Sequence, residues 1–172
     1  MLLDLLHVWR DFFIVTATAG ATLIGAMFVV ISIGVGFVTR ERLSGTHAYV
    51  TSTVVHLGAV VLASLATMAP PLDGNGFGIV LVIGGTIALL YDLTLIRAVH
   101  HYHFDWTDYL WYAAMPFIAY AGVVAAGALI LAANANGLDL LAAALVLLLI
   151  TGVRNGWDMI LTIVVRPRPQ KE

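Results

Sequence analysis

Long apolar runs separated by short polar joints dominate the chain. The five runs lie at about residues 12–38, 47–69, 77–99, 109–133 and 138–165. A helix needs roughly 20 apolar residues to cross a hydrocarbon core of about 30 Å, so each run is long enough. Transmembrane strands would show short alternating segments instead. The pattern predicts an all-α fold, an integral membrane bundle of five transmembrane helices.

The joints between the runs carry turn residues or charge. They read TRERLSGTH, APPLDGNGFG, HHYHFDWTD and NANGLD, and none is long enough to hold a soluble domain. We therefore expect a single transmembrane helical domain over residues 1–172.

Composition supports a membrane location and excludes several classes of function. Hydrophobic residues make up 61% of the chain and charged residues 10%, whereas about a quarter of the residues of a soluble domain are charged. The net charge of −2 and the absence of a basic patch argue against nucleic acid as a partner. Cysteine is absent, which excludes disulfides and thiolate metal sites. The expected partner is the lipid bilayer.

Basic residues are distributed unequally between the two ends of the predicted bundle. With five crossings, one side receives only Arg10, and the other side receives Arg40, Arg42, Arg97, Arg166, Arg168 and Lys171. Arginine and lysine concentrate on the cytoplasmic side of membrane proteins. The distribution predicts an N-terminus outside and a cytoplasmic C-terminus.

Arg154 is the basic residue that this count leaves out, because it lies within the last apolar run. Asp158 follows it by one helical turn on the same face. On a continuous helix Arg154 lies about 18 Å before Arg166, which places it inside the membrane. The alternative is that the crossing ends near Gly152 and the rest forms a surface helix, with Trp157 in the interfacial belt.

Polar residues of other runs fall at a depth similar to that of this pair. An unpaired charge within a membrane is costly and usually faces a partner in the bundle, so Asp92 is a second expected partner for Arg154. The predicted intramembrane polar cluster comprises His56, Asp92, Tyr120, Arg154, Asn155 and Asp158. The alternative interpretation of His56 is a hydrogen-bonded core residue.

Two other runs contain features that affect packing. Pro116 has no backbone N–H, so a kink there would leave the carbonyl of Tyr112 in need of another donor. Thr18, Thr22 and Gly25 share one face of the first run and predict a packing seam within the bundle or between subunits.

Histidines concentrate at the predicted cytoplasmic end of the third run. His100, His101, His103 and Asp105 are residue types that bind zinc and related metals, so a divalent metal is one expectation for this segment. No fixed ligand spacing supports it, and the segment could instead respond to cytoplasmic pH. No second histidine matches the depth of His56, which argues against a buried bis-histidine haem. A haem site nearer the interface, formed by His47 and the histidines at 100–103, is the remaining alternative for a haem.

Two blocks carry a resemblance. FFIVTATAGATLIGAMFVVISI and GVRNGWDMIL resemble the first and last blocks of a broad group of small bacterial membrane proteins without an assigned activity. The resemblance implies a multi-pass protein of the bacterial inner membrane and no catalytic residue.

The sequence supports three hypotheses of function. The first is an ion or proton channel or transport protein, built as a homo-oligomer because five helices make a thin bundle. The second is a structural or regulatory membrane subunit whose polar cluster sets helix packing. The third is a metal-dependent membrane enzyme, which no nucleophile motif or complete ligand set supports.

Overall fold

The structure is a computed structural model that describes residues 2–34, 40–69, 74–99 and 106–164. Within these ranges it consists of helices and contains no strand, as the sequence predicts. The helices are α1 (Leu2–Gly34), α2 (Arg40–Ala66), α3 (Gly74–Val99), α4 and α5 (Asn136–Val164). Helix α4 is composite and joins a short α-helix (Trp106–Tyr109), a π-helical turn (Leu110–Ala114) and a longer α-helix (Met115–Leu131).

Four stretches of these helices are long and apolar enough to cross a membrane. They are Leu6–Ile33, Asn75–Thr94, Leu110–Leu131 and Asn136–Asp158, and the described part of α2 adds the shorter apolar helix Thr51–Ala66. The helices therefore fit a multi-pass membrane protein. The fifth crossing and the orientation of the termini stay predictions.

Helix α5 is the central element of the bundle, because it packs against α1, α2 and α4. Helix α3 packs mainly on α4, and α1 packs mainly on α2. The largest fully buried apolar side chains include Phe13, Phe77, Leu141, Leu145 and Leu148. Large apolar side chains such as Val15, Leu62 and Ile87 are exposed on the outer faces. Such a surface suits contact with lipid better than contact with water.

Glycines allow α3 and α4 to approach closely. A Cβ atom added at Gly127 would lie 2.9 Å from the carbonyl oxygen of Gly78, and one added at Gly85 would lie 2.9 Å from a methyl carbon of Val124. Small residues at a helix crossing permit this close backbone contact. The neighbouring Gly84 faces outward and would meet nothing within 4 Å. Helix α3, which carries Asp92, therefore packs closely on α4.

The π-helical turn of α4 ends directly before Met115 and Pro116. The backbone N–H of Met115 donates a hydrogen bond to the carbonyl of Leu110, five residues earlier. A proline cannot donate and its ring crowds the preceding turn, so an α-helical turn would be strained at this point. The helix accommodates the proline with a wider turn, a feature that recurs at functional sites in proteins.

Candidate functional site

His56 is the centre of a buried hydrogen-bonded chain that connects α2 with α4. Its Nδ1 atom lies 2.7 Å from the hydroxyl oxygen of Tyr120, and its Nε2 atom lies 2.9 Å from the hydroxyl oxygen of Ser52. The exposed fraction of each of the three residues is at most 1%. A neutral imidazole donates from one ring nitrogen and accepts at the other, so both hydroxyls are satisfied in either tautomer.

Tight packing on two sides holds the helix that carries His56. Ser52 and His56 are one turn apart on α2, and Leu57 follows directly. A Cβ atom at Gly152 of α5 would lie 2.5 Å from the side chain of Leu57, and one at Gly20 of α1 would lie 3.0 Å from Val61. These glycines let α1 and α5 approach α2 closely beside the turn that carries His56.

Asp92 of α3 is the buried acidic group of the core. Its residue is 0% exposed, and among the described residues neither carboxyl oxygen has a hydrogen-bond partner. Helix α3, which carries this carboxyl group, packs on α4, which carries Tyr120. An isolated ionised carboxylate in an apolar interior is so costly that such a group takes up a proton instead. Asp92 is therefore an energetically costly group of the interior that also contains Ser52, His56 and Tyr120.

Asn155 brings a second unsatisfied polar group into the core, from α5. The residue is 1% exposed, and neither its amide oxygen nor its amide nitrogen has a partner in the described part of the chain. Its backbone carbonyl accepts a long hydrogen bond of 3.5 Å from the hydroxyl of Tyr112. One turn earlier, the buried Thr151 donates to the carbonyl of Leu147. The inward polar side of α5 is thus formed by Thr151 and Asn155.

Arg154 and Asp158 form the ion pair that their spacing predicts, but the pair does not lie in the core. Nη1 of Arg154 contacts Oδ1 of Asp158, and the two side chains are 38% and 26% exposed. The adjacent Trp157 is 57% exposed. Consecutive residues of a helix point about 100° apart, so the inward position of Asn155 turns Arg154 to the edge of the bundle.

The expected ion pair between Arg154 and Asp92 is not formed, since both oxygens of Asp92 lack a hydrogen-bond partner in the described ranges. The six residues predicted as one cluster thus fall into two sets. The structure brings His56, Asp92, Tyr120 and Asn155 into the interior and leaves Arg154 and Asp158 at its edge.

Other predicted features lie elsewhere. His100, His101, His103 and Asp105 are outside the described residues, so the divalent metal stays a prediction. Across residues 2–34, 40–69, 74–99 and 106–164, no group of three His, Cys, Asp or Glu side chains is placed to hold a metal.

The small polar face of α1 points outward in the structure. Thr18 and Thr22 are exposed, and each hydroxyl donates to a carbonyl of its own helix. A Cβ atom at Gly25 would meet nothing within 4 Å. This face is therefore not a packing seam inside the described bundle, and a seam between subunits stays a prediction.

Two serines belong to the buried polar interior and were not among the predicted site residues. Ser52 is bonded to His56, and its spacing of four residues from the histidine is a signal that could have identified it. Ser64 is 0% exposed, and its hydroxyl has no partner among the residues that the structure describes. Nothing in the sequence around Ser64 distinguishes it from an outward-facing serine.

The order serine, histidine, tyrosine resembles a nucleophile with a base and an orienting group. The serine is only 1% exposed, however, so a substrate has no access to its hydroxyl. A chain of hydroxyls and an imidazole, in an interior that also contains a carboxyl group, is instead suited to passing a proton between neighbours.

No protein-family model matches the chain, and neither a curated protein nor a solved structure shows significant similarity to it.

Proposed function

We propose that the protein transports protons, or ions coupled to protons, across a membrane through its buried polar core. The observation that carries the proposal is Asp92, a fully buried carboxyl group without a hydrogen-bond partner in the described bundle. Ionisable groups within membrane-spanning helices are expensive and mark ion pathways and proton relays. A carboxyl group with a purely structural role would be stabilised by a permanent hydrogen-bond partner. A carboxyl group that transports protons must instead be able to bind and release them.

The neighbours of Asp92 supply the rest of a relay. The imidazole of His56 has a hydroxyl at each ring nitrogen, at 2.7 Å and 2.9 Å, so a proton taken up at one nitrogen can leave from the other. Tyr120 bonds the imidazole and lies on α4, the helix against which α3 packs with Asp92. The unpaired amide of Asn155 offers both a donor and an acceptor to water entering the core.

The proposal includes an arrangement in the membrane. Five crossings follow from the five apolar runs, and an N-terminus outside with a cytoplasmic C-terminus follows from the distribution of arginine and lysine. We place the protein in a bacterial inner membrane on the resemblance of its first and last blocks. A homo-oligomer would enlarge the thin bundle, and the outward small face of α1 suits contact with a second copy.

A flux assay tests the function. Purified protein is reconstituted in liposomes with a trapped pH-sensitive dye, and a potassium gradient with valinomycin sets the potential. We expect proton flux above that of empty liposomes, and Asp92→Asn should abolish it, because the amide cannot release a proton. The control is Asp139→Asn, an exposed acidic residue in the first turn of α5, which should leave the flux unchanged.

Two outcomes would overturn the proposal. One is wild-type protein without proton flux under either sign of the potential. The other is an Asp92→Asn variant that elutes as a single species and conducts like wild type.

The second candidate is a structural or regulatory membrane subunit. The observation that favours it is that Ser52, His56 and Tyr120 satisfy one another and link α2 with α4, as a packing lock would. In that case, variants of His56 should lower thermal stability, and the wild-type protein should give no flux. The same preparations therefore distinguish the two candidates.

A further inference from the structure

An apolar groove on the outside of the bundle is separate from the polar core. Its volume is about 550 Å³. Among the described side chains that line it, Arg154 is the one that carries a charge. Its apolar walls include Ala19 and Leu23 of α1, Trp111 of α4, and Ile150, Val153 and Trp157 of α5. Ile150, Val153 and Trp157 are each about half exposed, so the groove opens outward.

Arg154 is available to a ligand at the edge of this groove. Its side chain is 38% exposed, and its contact with Asp158 is made through Nη1. A guanidinium carries five N–H donors, so several remain for another acceptor. Helix α5 continues beyond Asp158 to Val164. Arg154 lies about 15 Å before that end, and the long side chain of an arginine near a helix end extends toward the lipid headgroups.

We propose that the groove binds a phospholipid, with the phosphate on the guanidinium of Arg154 and one acyl chain along the apolar walls. Guanidinium binds phosphate through paired hydrogen bonds, which gives the site its charge complementarity. Tryptophan is enriched at the headgroup level, and Trp111 and Trp157 both line the groove. A ligand that combines a long apolar chain with an anionic group satisfies both parts of the site at once.

Asp158 and Arg154 should have opposite effects on lipid binding, which makes the proposal testable. Its carboxylate contacts the guanidinium and competes with a phosphate for it. Removing that charge should therefore strengthen lipid binding, whereas removing the charge of Arg154 should weaken it. A pair that served only to stabilise α5 would respond to both changes with the same loss of stability.

Native mass spectrometry of the detergent-purified full chain measures the occupancy. The probes are phosphatidylglycerol and a diacylglycerol with the same acyl chains but without the phosphate. We expect phosphatidylglycerol to bind wild type at least about tenfold more tightly than diacylglycerol, the equivalent of one charged hydrogen bond. Arg154→Gln should remove this preference, and Asp158→Asn should increase it. The control Arg10→Gln alters an exposed arginine of α1 and should change nothing.

Equal binding of the two lipids by wild type would overturn the proposal without the use of any variant. An Asp158→Asn protein that binds phosphatidylglycerol more weakly than wild type would also overturn it. Inorganic phosphate, added as a third probe, should not displace the lipid, because it lacks the acyl chain. Displacement by inorganic phosphate would show an anion site in place of a lipid site.

Discussion

The Nδ1 atom of His56 lies 2.7 Å from the hydroxyl oxygen of Tyr120, although the two residues are 64 positions apart in the chain. The contact joins α2 to α4 in a region where both side chains are fully buried. If either residue were removed, the polar group of the other would lose this hydrogen-bond partner. Because a buried unpaired polar group is costly, the pair is sensitive to the loss of either member.

Tyr120→Phe tests the energetic contribution of this contact. The change removes one hydroxyl, keeps the ring and leaves a ring nitrogen of His56 without its partner. We expect a loss of about 1–3 kcal/mol in unfolding free energy, observed as a lower melting temperature in detergent. The control is Tyr109→Phe, which should cost less because Tyr109, on the same helix, is exposed. Equal losses of stability in the two variants would contradict the hydrogen bond between Tyr120 and His56.

The two buried serines of α2 should respond differently to substitution by alanine. Ser52→Ala removes the partner of Nε2 of His56 and should lower the melting temperature, at a cost of about 1–3 kcal/mol. Ser64→Ala removes a buried hydroxyl without a partner in the described bundle, so it should be neutral or stabilising. Each substitution removes a single hydroxyl group, and both positions lie on α2, so the two variants can be compared directly. A stabilising Ser52→Ala would show that the hydroxyl does not bond His56.

Asp92→Leu should separate stability from function. Leucine branches at the same carbon as aspartate, so it fills a similar shape with two methyl groups in place of the unpaired oxygens. We expect a higher melting temperature, because a buried polar group without a partner is destabilising. The proton flux should be lost in the same protein. A melting temperature well below that of wild type would indicate that the carboxyl group has a partner after all.

Much of the fold can be predicted from patterns that are local in sequence. The long apolar runs predict the helices, because burial in lipid requires each run to satisfy its own backbone. The helix ends agree with the predicted boundaries to within about ten residues; α1, for example, begins at Leu2 rather than near residue 12. Arg154 and Asp158 pair as predicted because residues four apart on a helix are neighbours.

The parts that could not be predicted depend on how the helices rotate against each other. The sequence places Arg154 and Asn155 side by side, and only packing decides which of them faces inward. The contact of Gly152 with Leu57 brings the side of α5 that carries Thr151 and Asn155 into the core. In the same way, His56 and Tyr120 were both expected in the cluster, but their direct bond depends on the crossing of α2 and α4.

The π-helical turn at Leu110–Ala114 also determines the rotation of the longer α-helix of α4 about its axis. A turn closed over five residues accommodates one more residue than a turn closed over four, much as an insertion within a regular helix would. Each residue advances an α-helix by about 100°, so deleting one residue here would rotate the helix after it by that angle relative to the helix before it. Tyr120 lies after the turn and Tyr112 within it. The extra residue therefore sets the angular offset between the tyrosine that meets His56 and the one that meets Asn155.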